Sequence, residues 1–140
     1  MSRFVEMFPA RMDALGRVMA LVEEIGAAAE FERHDCLRLT LVIEELFTNT
    51  VMHGHGGDSE APIQIAFDVE RGRVTLTYED TGPDFDPFAS AAQGTDEPAA
   101  SKERAPGGLG LVLVARLASD LHYTRAEGRN RISLAVIASR

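Results

Sequence analysis

The chain has 140 residues, 45% of them hydrophobic and 26% charged, which predicts a single globular domain over residues 1–140. Its formal net charge is −8 and its pI is near 4.9, which argues against direct nucleic-acid binding and against a polybasic membrane anchor, since both rest on basic surfaces. A single cysteine, Cys36, rules out an intramolecular disulfide, and without a signal peptide or a long apolar run we expect a cytoplasmic protein with no membrane segment.

The first half of the chain predicts one strand followed by two helices. Residues 3–8 alternate between apolar and polar side chains and are closed by Pro9, as in a short strand. Apolar residues then recur at helical spacing from 10 to about 29, and again from 33 to 52. The second helical pattern ends in the glycine-rich sequence HGHGGD, which is typical of a helix stop.

Two hairpins and a third helix are predicted in the second half. PIQIAFDVE and RVTLTYED flank Arg71 and Gly72, and LHYTRAEG and RISLAVIA form a closing hairpin around Glu127 and Gly128. Between the hairpins, residues 89–106 lack periodicity over a length typical of lids and binding segments, and residues 109–118 predict a helix. The fold class is therefore expected to be α/β (α+β), a two-layer sandwich with a mostly antiparallel sheet packed on helices.

The second predicted helix carries a possible acid–base and metal pair. Glu45 and Asn49 are four residues apart, so they project from the same side of the helix. A carboxylate beside an amide oxygen suits a general base and a hydrated Mg²⁺. Taken alone, the pair is more typical of a solvated helix face.

Two glycine-containing motifs follow along the chain. Asp80 ends a predicted strand and can accept a hydrogen bond from an amine, while Gly82 allows a flat ring to approach the backbone; an ordinary turn explains both residues as well. Gly107, Gly108 and Gly110 lie at the N-terminus of the third helix, where free N–H groups and the helix dipole favour an anion. The last motif is neither a Walker A loop nor a Rossmann fingerprint.

Taken in order, the three motifs carry a resemblance to a known family. EELFTNTVMHG, DTGPDFDP and GGLGL resemble the boxes of the ATP-binding domain shared by gyrase, heat-shock chaperones, histidine kinases and mismatch-repair ATPases, the GHKL or Bergerat fold. Within this group the chain is most similar to the small anti-sigma factor serine/threonine kinases, over about residues 8–137. The resemblance implies ATP and Mg²⁺ as cofactors, and a flexible ATP lid over about residues 88–107.

The resemblance also implies a role for individual residues. It makes Glu45 the catalytic base, Asn49 the Mg²⁺ ligand and Asp80 the acceptor for the adenine amine. The other nucleotide-binding positions that it implies are His53, Gly54, Gly82, Phe85, Lys102, Arg104, Gly107, Gly108, Leu109, Gly110, Leu111 and Asn130. The lysine and arginine of the lid could equally be solvated charges. Asn130 stands where many relatives have a Gly-Thr pair, and its amide can still donate and accept hydrogen bonds.

The activity implied by the resemblance is a protein kinase in a partner-switching system that regulates transcription. Such a kinase phosphorylates a serine or threonine of a small anti-anti-sigma protein and sequesters a sigma factor, or another regulatory protein, as a homodimer. An ATP-binding regulatory module with little or no kinase activity is the alternative, which Glu45 disfavours because a pure ATP sensor needs no base. A histidine-kinase-like enzyme is a further alternative, and it would leave acid-labile phosphohistidine on its partner.

Overall fold

The computed structural model describes residues 1–82 and 108–139, without the side chains of residues 53, 54 and 108–111. Five strands and three α-helices are found in the described part. Their bounds are β1 Ser2–Pro9, α1 Leu15–Ala28, α2 Arg33–Asn49, β2 Pro62–Glu70, β3 Arg73–Asp80, α3 Gly108–Leu117, β4 Ser119–Ala126 and β5 Arg129–Ile137. None of these helices is long and apolar enough to cross a membrane.

The five strands form one antiparallel sheet in the order β1-β2-β3-β5-β4, so the predicted fold class is confirmed. The two predicted hairpins are present, joining β2 to β3 and β4 to β5. Gly72 and Gly128 occupy their turns with φ of 78° and 75°, in the left-handed region that glycine adopts without strain. Strand β3 lies at the centre of the sheet, where both of its edges are hydrogen-bonded.

One face of the sheet packs on α1 and α2 and forms the hydrophobic core. The strands alternate as predicted, because successive side chains point to opposite faces. In β3, for example, the even-numbered residues from 74 to 78 are fully buried. Each large apolar side chain removed from water contributes roughly 1.5–3 kcal/mol. Fully buried members of this core from the sheet and the helices include Ile63, Ile65, Phe67, Leu76, Tyr78, Ile25, Leu39, Ile43 and Phe47.

The first helix begins later than the apolar periodicity predicts. Ala10 donates its N–H to the Ala61 carbonyl, and Asp58 Oδ1 accepts the Met12 N–H at 2.8 Å. These bonds join the residues after β1 to the residues before β2. The backbone groups of this stretch are therefore satisfied outside a helix, and α1 starts at Leu15 after a short 3₁₀ turn.

A buried ion pair joins the start of α2 to two other elements. Asp35 is 1% exposed and accepts hydrogen bonds from Arg38 Nη1 at 2.8 Å and from the N–H and hydroxyl of Ser139 at 3.2 and 3.0 Å. The same guanidinium donates to the carbonyls of Ile137 and Leu117, at the ends of β5 and α3. Burial alone would raise the pKa of Asp35, but the donors from Ser139 and Arg38 outweigh it and lower the pKa.

Candidate functional site

Asp80 closes β3 on the face of the sheet that packs on the helices. Its side chain is 8% exposed, and its Oδ1 accepts hydrogen bonds from the Gly82 N–H at 2.8 Å and from Asn130 Nδ2 at 3.1 Å. Within residues 1–82 and 108–139, both bonds go to the same oxygen. Oδ2 is therefore the oxygen left to accept a hydrogen bond from a ligand.

The end of α2 is tied to β3 two residues before Asp80. The Tyr78 hydroxyl lies 2.7 Å from Thr50 Oγ1 and 3.3 Å from the Leu46 carbonyl, and Thr50 Oγ1 also donates to that carbonyl at 3.0 Å. Burial raises the pKa of Tyr78 strongly, and the charge of Asp80 raises it further, so the hydroxyl stays protonated. Because Thr50 follows Asn49 directly, this contact brings the predicted metal ligand toward the strand that carries Asp80.

Glu45, the predicted general base, has a carboxyl whose pKa is raised. Its side chain is half-buried, and desolvation raises the pKa of its carboxyl, with a further contribution from the negative charge of Glu44. A carboxylate with a raised pKa takes up a proton more readily. Asn49, one turn later, is 7% exposed. Glu44, the preceding residue of the helix, is also half-buried.

The residues around Asn130 include two that sequence reasoning missed. Asn130 is buried opposite Asp80 in the β3–β5 pair, and its Oδ1 accepts hydrogen bonds from Tyr123 and Arg125. Arg125 also donates to the Gly82 carbonyl at 2.7 Å. The predicted hairpin around Glu127 and Gly128 could have indicated Arg125, because the register of that hairpin places residue 125 beside residue 130.

The remaining predicted site residues are placed only in part. Residues 53 and 54 lie in a π-helical turn that continues from α2, and residues 108–111 form the first turn of α3, as expected for a helix start after glycines. The predicted contacts of Phe85, Lys102, Arg104 and Gly107 lie outside the described residues, as does the lid at 88–107. Their roles stay predictions.

Comparison with known proteins bears on the fold and the family of the chain. Residues 8–136 match the family described as the histidine kinase-like ATPase domain. The chain is 32% identical over 98 residues to the serine/threonine-protein kinase BtrW of Bordetella bronchiseptica, a match that spans 69% of this chain and 66% of that kinase. The fold is similar to the RsbU and RsbW domains of Rv1364c from Mycobacterium tuberculosis, with a TM-score of 0.68 and 20% identity; all of this chain is covered but only 33% of the other. The chain spans slightly less than two thirds of the curated relative and a third of the solved structure. As the motifs predicted, the chain belongs to the histidine kinase-like ATPase domain family.

Proposed function

We propose that the chain is an ATP- and Mg²⁺-dependent serine/threonine protein kinase acting as an anti-sigma factor. The proposal rests on two carboxylates in different environments, one on α2 and one on β3, two elements that the Thr50–Tyr78 contact joins. Glu45 on α2 has a raised pKa, while Asp80 on β3 is held by two donors on one oxygen. A partly desolvated carboxylate suits proton transfer, whereas a carboxylate fixed by hydrogen bonds suits recognition of a ligand. The similarity to a protein named as a serine/threonine kinase supports the same class of reaction.

Asp80 would recognise the nucleotide base. Its Oδ2 can accept the exocyclic amine of adenine, while its Oδ1 is held in place by Gly82 and Asn130. An acceptor fixed by two hydrogen bonds loses little freedom on binding, which favours affinity. Asp80→Asn would present a donor to the adenine amine. We therefore expect this variant to lose ATP affinity in calorimetry.

Asn49 fits a magnesium ion bound together with nucleotide phosphates. Mg²⁺ takes oxygen ligands, keeps several waters and is usually held by one or two protein groups plus substrate phosphates. The amide oxygen of a nearly buried side chain beside a potential base meets this requirement. The ion would neutralise charge on the phosphates. Asn49→Ala is expected to weaken Mg²⁺-dependent ATP binding more than binding without Mg²⁺.

Glu45 would accept the proton of the acceptor hydroxyl. As that proton moves to the Glu45 carboxylate, the serine or threonine oxygen forms a bond to the γ-phosphorus. The bond from the γ-phosphorus to its bridging oxygen breaks, and ADP leaves with the electron pair. Because the pKa of Glu45 is raised, its carboxylate is a better proton acceptor than an ordinary surface glutamate.

The first turn of α3 would supply backbone N–H groups to the phosphates. Helix α3 packs on α2, and the end of α3 at Leu117 is bonded to Arg38 near the start of α2. We infer that the two helices run in opposite directions, so that Gly108 is directed toward the end of α2 that carries Asn49. Free N–H groups at a helix start bind anions well.

The decisive experiment compares two neighbouring glutamates. Purified protein is incubated with γ-labelled ATP, Mg²⁺ and the small proteins encoded beside it, and label transfer is followed with wild type, Glu45→Gln and the matched control Glu44→Gln. We expect Glu45→Gln to keep ATP affinity and lose transfer by about 10²–10⁴-fold, while Glu44→Gln retains transfer. Normal transfer by Glu45→Gln would overturn the base assignment.

The nature of the product separates the remaining possibilities. Acid-stable phosphoserine or phosphothreonine on a small acceptor supports the proposed anti-anti-sigma substrate, whereas acid-labile phosphohistidine would indicate a histidine-kinase-like enzyme. ATP binding without transfer to any acceptor would favour the regulatory module. Sequestration of a sigma factor and homodimer formation are part of the proposal. Co-purification with and without ATP tests the first, and the mass in solution by light scattering tests the second.

A further inference from the structure

The Asn130 amide is held at both of its ends. Its oxygen accepts hydrogen bonds from the Tyr123 hydroxyl at 2.5 Å and from Arg125 Nη1 at 3.2 Å. Its nitrogen donates to Asp80 Oδ1 at 3.1 Å and to the Gly82 carbonyl at 3.3 Å. A guanidinium can only donate, so the amide atom that faces Arg125 must be the oxygen. The amide nitrogen is thereby directed to Asp80.

Cross-strand pairing explains why these groups meet. Asn130 is the register partner of Asp80 on β3 and of Arg125 on β4, so the three residues form one row across the sheet. They point to the face that packs on the helices, as does Tyr123, which lies opposite the buried Ile132. Side chains on neighbouring strands of an antiparallel sheet are close enough to bond directly.

Arg125 also fixes the backbone beyond β3. Its Nη1 donates to the Gly82 carbonyl at 2.7 Å, and the Gly82 N–H in turn donates to Asp80 Oδ1 at 2.8 Å. One guanidinium therefore acts on both groups that hold the Asp80 carboxylate. It orients the Asn130 amide through the oxygen, and it holds the peptide of Gly82 through the carbonyl.

We propose that Arg125 and Tyr123 are positioning residues that set the base selectivity of the nucleotide site by orienting the Asn130 amide toward Asp80. This inference rests on the proposed nucleotide-binding function. With Oδ1 occupied by donors, Asp80 presents Oδ2 to a purine that carries an amine at position 6. A purine with a carbonyl at position 6 would bring that oxygen against Asp80 Oδ2, so that two hydrogen-bond acceptors face each other. Without these two donors, the Asn130 amide could turn its oxygen away from Arg125, or leave the Asp80 carboxylate free to rotate. The site would then discriminate less well between an amine and a carbonyl at position 6 of the purine.

The test measures selectivity by calorimetry with ADP and IDP, which carry an amine and a carbonyl at position 6 of the base. The variants are Arg125→Met, Tyr123→Phe and Arg125→Lys, with Thr124→Ala as the control on the opposite face of β4. We expect Arg125→Met to lose about tenfold in ADP affinity, as for a hydrogen bond to a charged group, with little change for IDP. Tyr123→Phe should lose less ADP affinity than Arg125→Met. Arg125→Lys should recover part of the selectivity for ADP over IDP that Arg125→Met loses, and Thr124→Ala should match wild type.

A purely structural role would give a different pattern. Loss of local structure would weaken the binding of ADP and of IDP equally and would lower the midpoint of thermal unfolding. A positioning role instead reduces the ratio of ADP affinity to IDP affinity in a variant that is still folded. In transfer assays, Arg125→Met should raise the KM for ATP and leave kcat close to wild type. Unchanged selectivity in both Arg125→Met and Tyr123→Phe would overturn the inference while leaving the kinase proposal intact. Failure of wild type to bind either nucleotide would overturn the proposed function first, and the inference with it.

Discussion

Replacing Arg38 by methionine tests how much the buried ion pair at the start of α2 stabilises the fold. Methionine keeps most of the length and apolar contact of the side chain but removes hydrogen bonds to Asp35 and to the carbonyls of Ile137 and Leu117. Removing one partner of a buried pair typically costs about 3–5 kcal/mol. Asp35 keeps its two bonds from Ser139, and the Arg38 side chain is 25% exposed, so we expect a loss of about 2–4 kcal/mol.

The assay is urea unfolding followed by circular dichroism, with the midpoint and the slope fitted together. Arg33→Met is the matched control, because Arg33 is an exposed residue of the same helix and its loss should change the free energy of unfolding by less than about 0.5 kcal/mol. A double-mutant cycle with Asp35→Asn isolates the pairwise energy. A loss for Arg38→Met no greater than that of the control would refute the reasoning.

Three further predictions follow from the described contacts. Because the pKa of Asp35 is lowered in the folded protein, its ionised carboxylate stabilises the fold at pH values above the ordinary aspartate pKa of about 3.9. That stabilisation is lost as the pH falls through the lower pKa of the folded state. Asp35→Asn should therefore remove this part of the pH dependence from urea unfolding curves. Glu44→Gln removes a negative charge that raises the pKa of Glu45, so the acidic limb of the pH–rate profile should move to lower pH, and an unmoved limb would count against Glu45 as the base. Tyr78→Phe removes the hydroxyl that contacts Thr50, which should cost about 1–2 kcal/mol by urea unfolding; a neutral result would show that this contact does not hold α2 to β3.

Periodicity predicted the elements well because the fold buries one face of each. Alternation in β2 and β3 was correct since one side of the sheet is covered by helices, and the turns at Gly72 and Gly128 required the left-handed backbone that glycine allows. The start of α1 was wrong because Ala10 is bonded to Ala61, far away in the sequence. Long-range contacts of this kind leave no periodic signal.

The motifs predict the candidate site from the sequence, whereas the contacts that support it are found only in the structure. Glu45, Asn49 and Asp80 belong to short patterns that are visible in the sequence alone. The role of Arg125 depends on strand register and side-chain direction together. Arg38 reaches the carbonyl of a residue 99 positions later, and nothing in the local sequence of α2 indicates that partner.

The central place of β3 has a consequence for how the chain folds. Its pairing with β2 needs only a two-residue turn, whereas Asp80 and Asn130 are 50 positions apart in the chain and meet only after that loop has closed. Local contacts form early and distant ones late, because closing a long loop costs entropy before any contact repays it. Synthesis proceeds from the first strand onward, so a growing chain can complete the β2–β3 hairpin before β5 has emerged from the ribosome. We therefore expect Asp80, the proposed acceptor for the nucleotide base, to gain its hydrogen bond from Asn130 late in folding, so that nucleotide binding would report the docking of β5.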